Sequence, residues 1–168
     1  MHLTFTLMDE AAAREVCAWQ YAEPYAVYNM SADSEEGLAE MLERRSPYYA
    51  VRDEQGELVG FFCFGTSAQV WENETPGLYS EDATIDIGLG LRPDLTGRGR
   101  GLTLVNVGLA FARETFQPRH FRLFVLTFNE RAIRVYERAG FVRVRVFTRH
   151  HIYGEQTFLE MRRAASFL

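Results

Sequence analysis

The chain has 168 residues, 47% of them hydrophobic, which suits one compact domain with a proper core and excludes a disordered chain. Its formal net charge is −5, with arginines gathered only locally at Arg98/Arg100 and Arg143/Arg145, so a nucleic-acid-binding surface is not expected. No basic leader with an apolar run and no membrane-spanning stretch is visible, so a cytoplasmic protein off the membrane is expected, with Cys17 and Cys63 as reduced thiols.

In chain order, His2 to Met8 reads as a first strand, and Asp9 as the N-cap of a helix carrying Ala11, Ala12, Val16 and Trp19. An aromatic connection, Tyr25 to Ser34, leads to a second helix opened by Ser34-Glu35-Glu36 and running to about Arg45. Tyr48 to Arg52 and Glu57 to Phe64 form a hairpin around the turn residues 53–56. The segment from Gly65 to Ser80 reads as loop.

The next strand, Ala83 to Leu91, sets Ala83, Ile85, Ile87, Leu89 and Leu91 on one face and Thr84 and Asp86 on the other. Gly88 and Gly90 within it point to a bulge or a close backbone approach. A helix from Leu102 to about Phe116 buries Leu102, Val105, Leu109, Ala112 and Phe116. His120 to Leu126 is a strand, Asn129 to Arg138 a short helix closed by Gly140, and Phe141 to Phe147 a strand with Val142, Val144 and Val146 dry and Arg143 and Arg145 wet. Gln156 to Arg162 supplies the last strand. These elements make an α/β fold: a single mixed sheet of about seven strands with helices on both faces, in which Ala83 to Leu126 is a right-handed parallel strand–helix–strand unit.

The most informative stretch is Thr96-Gly97-Arg98-Gly99-Arg100-Gly101-Leu102, between a strand and an amphipathic helix. The first amides of a helix lack intrahelical partners and carry positive potential, and glycines let them close around phosphate. Arg98 and Arg100 add charged donors, so a pyrophosphate is the natural guest. The spacing is neither the G-x-G-x-x-G of a dinucleotide fold nor a Walker loop. The second informative stretch is Asn129 to Phe141, with Asn129 at the start of a helix. In it Tyr136 is either a core aromatic or a functional phenol. His150-His151 makes a poor ligand pair, since neighbours on a strand face opposite ways, and no metal is expected.

Together the two stretches resemble the GNAT N-acetyltransferase superfamily. Its cofactor signature, Arg/Gln-x-x-Gly-x-Gly/Ala, is matched at both glycines by residues 96–101, with Thr96 at the first position, a departure that touches one side-chain contact and not the backbone cradle. Its later pattern, Asn-x-x-Ala-x-x-x-Tyr-x-x-x-Gly-Phe, is met by Asn129, Ala132, Tyr136, Gly140 and Phe141. The resemblance implies that the two central strands splay apart and admit the arm of acetyl-CoA, the acyl-donor co-substrate. It implies that Leu89 and Leu91 pair with that arm, that the 97–102 turn with Leu102 and Asn129 holds the cofactor, and that Tyr136 protonates the leaving thiolate. Tyr25, Tyr28 and Asn29 fall where that superfamily places a substrate-side loop. Asp86 is the first candidate for the base, or else a hydrogen-bonded strand carboxylate, with Glu81 and Asp82 as alternatives. The expected partners are acetyl-CoA and an amine, in a monomer or homodimer. A non-catalytic acyl-CoA sensor on the same fold is the other reading.

Overall fold

The computed structural model describes residues 2–70, 83–151 and 154–166. It holds seven strands: β1 (Thr4–Leu7), β2 (Tyr48–Arg52), β3 (Leu58–Phe64), β4 (Thr84–Leu91), β5 (His120–Leu126), β6 (Val142–His151) and β7 (Gly154–Ala164). They form one sheet in the order β1-β2-β3-β4-β5-β7-β6. The four α-helices are α1 (Glu10–Cys17), α2 (Glu35–Met41), α3 (Arg100–Phe116) and α4 (Glu130–Arg138).

Side-chain caps start α1, α2 and α4 where the sequence indicated, while α3 begins at Arg100, two residues before the expected Leu102. Asp9 accepts from the Ala12 amide at 2.8 Å and Ser34 from the Gly37 amide at 3.0 Å, so each satisfies an amide of the first turn. Asn129 does the same for Ala132 at 3.1 Å. Gly140, at φ 91°, provides the left-handed residue that ends α4.

The sheet separates two cores. On one face α1 and α2 bury Ala13, Val16, Cys17, Leu38 and Met41 against Tyr48, Ala50 and Cys63. On the other, α3 and α4 bury Leu104, Val105, Leu109 and Ile133 against Phe62, Phe64, Ile87, Leu123 and Met161. Helices thus cover both faces. The buried stripe of α3 is turned slightly from the expected one: Leu104 and Gly108 are buried with Val105, Leu109 and Ala112, while Leu102 is half-buried and Phe116 exposed.

All described strand pairs are antiparallel except β4 with β5. That parallel pairing spans only Thr84↔His120, Ile85↔Phe121 and Asp86↔Arg122. Beyond it, β4 continues against β3 as far as Leu91 and β5 continues against β7 as far as Leu126. The central strands therefore diverge, and the cleft between them is a consequence of this short register.

Two sequence expectations change. The β3–β4 register runs unbroken from Phe64↔Ile87 to Gly60↔Leu91, so Gly88 and Gly90 do not make a bulge there. They are glycines because neighbouring side chains lie over them: a β-carbon at Gly88 would strike the Cys63 sulfur, and one at Gly90 the Phe61 ring. In β6, Val142, Val144 and Val146 are 63%, 47% and 59% exposed, the reverse of the expected dry face. A bulge between Arg143 and Arg145 and a buried acid explain it: Arg145 turns to Glu160, which is 0% exposed, and donates to it at 2.6 Å.

Packing of α3 on β3 rests on the missing side chain of Gly108, where a β-carbon would overlap the Phe62 ring. Gly→Ala inside a helix ordinarily stabilises by about 0.5–1 kcal/mol. Here Gly108→Ala is expected to destabilise by about 1–3 kcal/mol through overpacking. Urea unfolding checks this, and an unchanged or higher midpoint contradicts the packing described.

Candidate active site

The cleft between β4 and β5 has a volume of about 570 Å³. Its walls come from β3, β4, β5, α3, α4 and the aromatic connection between α1 and α2.

At one end lies the glycine turn. After β4, Arg92 donates to the Leu58 carbonyl at 3.0 Å and to Asp94 at 2.7 Å, which pins the chain as it leaves the sheet. Pro93–Leu95 form a single 3-10 turn anchored by buried Leu95. The Thr96 hydroxyl donates to the Pro93 carbonyl at 2.7 Å, so this residue serves the turn itself. Gly97 and Gly99 follow at φ 72° and 74°, a conformation other L-residues enter at a cost, and Gly99 is the N-cap of α3. Gly97, Gly99, Gly101 and Leu102 line the cleft. A β-carbon at Gly99 would meet nothing within 4 Å, so glycine is required there by backbone shape and not by crowding inside the chain.

Arg98 and Arg100 sit differently from expectation. Both are exposed and neither lines the cleft. The cationic groups that do line it are Arg131 and Arg138 of α4, which the sequence reading passed over. Arg131 Nη1 is 4.0 Å from the β-carbon position of Gly97, beside the turn. A signal for them existed. They are seven residues apart, on one side of the helix, and neither has an acid at i±4, whereas Arg134 is paired with Glu130 at 2.9 Å.

Leu89 and Leu91 of β4 line the cleft together with Asn129 and Tyr136. Tyr136 packs edge-on against Phe141, with centroids 6.1 Å apart. Burial, reinforced by the nearby Tyr28 phenol, pushes the Tyr136 hydroxyl well above the ordinary tyrosine range. Asn129 also bridges the cleft: its amide nitrogen donates to the Tyr28 hydroxyl at 3.1 Å.

The α1–α2 connection closes over this region. Tyr25 and Tyr28, on a short 3-10 turn, line the cleft and flank Phe128 at 6.0 and 6.2 Å. The Arg131 guanidinium lies 4.1 Å from the centre of the Tyr25 ring, a cation–π contact. Tyr21, unanticipated from sequence, donates to the Leu91 carbonyl at 2.8 Å, and burial raises its hydroxyl to about 12. Asn29 does not line the cleft. It clips the connection, accepting from the Tyr21 amide at 2.6 Å and donating to the Tyr21 carbonyl at 3.1 Å.

Of the two readings of Asp86, base or hydrogen-bonded strand carboxylate, the structure has the second. It is 2% exposed and lies outside the cleft lining. Arg122 holds it through Nε at 2.5 Å and Nη2 at 2.8 Å, and Gln69 donates to it at 3.0 Å. With both oxygens engaged by a buried guanidinium, this carboxylate ties β4 to β5 at the root of the cleft. Glu81 and Asp82 lie outside the described residues. Cys63 lines the cleft, but burial pushes its thiol up to about 12, which disfavours the thiolate a nucleophile needs. His150 faces Glu155 at 3.1 Å on the outer hairpin, far in sequence and sheet position from β4.

The site is thus a cleft between diverging strands, with a glycine-lined helix start at one end and a buried phenol inside. The chain belongs to the acetyltransferase (GNAT) family, whose model matches residues 13–141. No curated protein matches it by sequence. Among solved structures it is similar to a candidate phosphinothricin N-acetyltransferase, at 17% identity over 99% of this chain and 100% of that one, with a TM-score of 0.70. It is also similar to the spermidine N-acetyltransferase of Vibrio cholerae in complex with CoA and spermine, at 20% identity over 97% of this chain and 95% of that one, with a TM-score of 0.67. Likeness at this identity shows a shared fold.

The buried Asp86–Arg122 pair generates a stability prediction. Asp86→Ala removes the carboxylate that meets the buried Arg122 guanidinium at two points and is expected to cost about 3–5 kcal/mol. The volume-matched double variant Asp86→Leu/Arg122→Met is expected to recover most of that loss. Urea denaturation of both proteins measures it, and a single variant as stable as the parent contradicts the clamp.

Proposed function

We propose that the protein transfers an acetyl group from acetyl-CoA to a primary amine by direct attack in a ternary complex. One observation carries this reading: the glycine turn at the start of α3, the divergence of β4 from β5, and the Tyr136 phenol all belong to one continuous cleft. The glycine turn suits a diphosphate, since its open space at Gly99 and its positive-φ backbone let amides approach an anion. Arg131 and Arg138 supply the charge there that Arg98 and Arg100 were expected to give.

The pantetheine arm would then run along β4 toward Leu89 and Leu91 as an added strand. Tyr21 now holds the Leu91 carbonyl, so the arm takes the place of that hydrogen bond or lies beside it. The amine nitrogen attacks the thioester carbonyl, a C–N bond forms and the C–S bond breaks. The Tyr136 hydroxyl gives its proton to the departing thiolate. A phenol held protonated by burial suits an acid and is unsuited to acting as a base. Asn129 orients Tyr28 at the same place. With Asp86 engaged by Arg122, the proton of the attacking amine passes to water, or to Glu81 or Asp82, which precede β4 in the sequence. No helix among the described residues is long and apolar enough to cross a membrane, and we place the reaction in the cytoplasm.

The alternative, an acyl-CoA-binding module without turnover, draws on the commitment of Asp86 to Arg122. Kinetics with a panel of amines separate the two. Tyr136→Phe is expected to lower kcat about tenfold or more while acetyl-CoA affinity is kept. An unchanged kcat removes the phenol from the reaction, and binding of acetyl-CoA with no acetylated product favours the non-catalytic module.

The direction of the Tyr136 shift also sets the pH profile. An acid raised above its ordinary value stays protonated through the alkaline range, whereas an alkyl amine loses its proton only toward about pH 10. The rate is therefore expected to rise with pH up to about pH 9 without a falling limb. A bell-shaped profile that turns down below that point contradicts this assignment.

A further inference from the structure

The cleft has a second end, on the α1 side of the sheet, away from the glycine turn. Its floor is Phe61, whose ring covers Gly90 of β4. Phe61 is held by stacking on Tyr48 at 5.8 Å and by Trp19 at 6.2 Å, so the surface is formed before any ligand arrives. Tyr28, Met30 and Phe158, the last stacked on Phe147 at 5.8 Å, line the same cleft.

Charge is distributed unevenly along the cleft. Among the described residues that line it none is Asp or Glu, and its cations, Arg131 and Arg138, belong to α4. Asp86 stands one hydrogen bond behind Gln69 and is neutralised by Arg122. The distant ammonium groups of a polyamine would meet aromatic and thioether faces here, with no Asp or Glu among the described lining residues to pair with them, an expensive burial. A flat apolar group would instead exchange water for aromatic and thioether surface.

We infer that the acceptor is a primary amine carried on an aromatic or similarly apolar tail, and that the Phe61 wall selects against polyamines. This rests on the acetyl-transfer reading and names its substrate class. The rings bind the tail, while the reacting nitrogen, neutral at the moment of attack, reaches the thioester beside Tyr136. The chain therefore shares its fold with the spermidine enzyme of Vibrio cholerae and differs from it in acceptor.

The test compares kcat/KM for 2-phenylethylamine and for spermidine under saturating acetyl-CoA, with products identified by mass and acetyl-CoA binding followed by thermal shift. The parent is expected to prefer 2-phenylethylamine at least tenfold. Met30→Glu, at a half-buried position of the wall, is expected to keep the melting temperature, weaken the aromatic amine and improve spermidine. A parent that acetylates spermidine as well or better overturns the acceptor class and leaves the transfer reading standing. So does a Met30→Glu protein with an unchanged preference. Acetyl-CoA binding with no product from any amine overturns the transfer reading and the acceptor class together.

Discussion

The site depends on one buried ion pair. Asp86 and Arg122, each 2% exposed, join β4 to β5 at the last of their three paired positions. Taking two charges out of water is costly, and the cost is offset only where geometry and further hydrogen bonds are good. Here the guanidinium meets both carboxylate oxygens and Gln69 adds a third bond. The pair sits where pairing stops, so it defines the point from which the strands part. A second buried acid, Glu160 on β7, accepts from Arg145 and Arg162 at 2.6 Å each. Charged side chains thus brace the half of the sheet that borders the cleft, while aliphatic packing under α3 braces the other face.

From this fixed root the remaining parts take their places through the chain itself. β4 delivers the glycine turn directly to the start of α3, and β5 leads through Asn129 into α4. The two helices therefore present a helix start and a phenol to the same gap. The connection between α1 and α2 reaches both walls: Tyr21 bonds the Leu91 carbonyl of β4, and Tyr28 bonds Asn129 at the start of α4. Arg131 joins the glycine turn to the aromatic connection, since it lies beside Gly97 and over Tyr25.

Much of this was legible in the sequence because it is local. Caps such as Asp9 and Ser34, the 53–56 turn, the stripe of α3 and the glycine turn are all written within a few residues. Family resemblance added the pairing of that turn with Asn129 and Tyr136. What stayed hidden depends on partners distant in sequence. Asp86 read equally as a base and as a hydrogen-bonded strand carboxylate, because Arg122, which decides it, lies 36 residues on. The valines of β6 looked dry because apolar alternation ordinarily marks a buried face, but Glu160 drew an arginine across that strand and left the valines outside. Arg131 and Arg138 were overshadowed by the arginines within the glycine turn, which are exposed and do not line the cleft.

The central claim is geometric: one cleft holds a diphosphate at the start of α3 and a thioester under Tyr136. A crystal structure of the protein with acetyl-CoA measures it directly. The account predicts the diphosphate within hydrogen-bond distance of backbone amides in the 97–102 turn, with the pantetheine between β4 and β5 and the sulfur near the Tyr136 hydroxyl. Phosphates bound elsewhere, or a sulfur on the far side of β4 from that phenol, would contradict it.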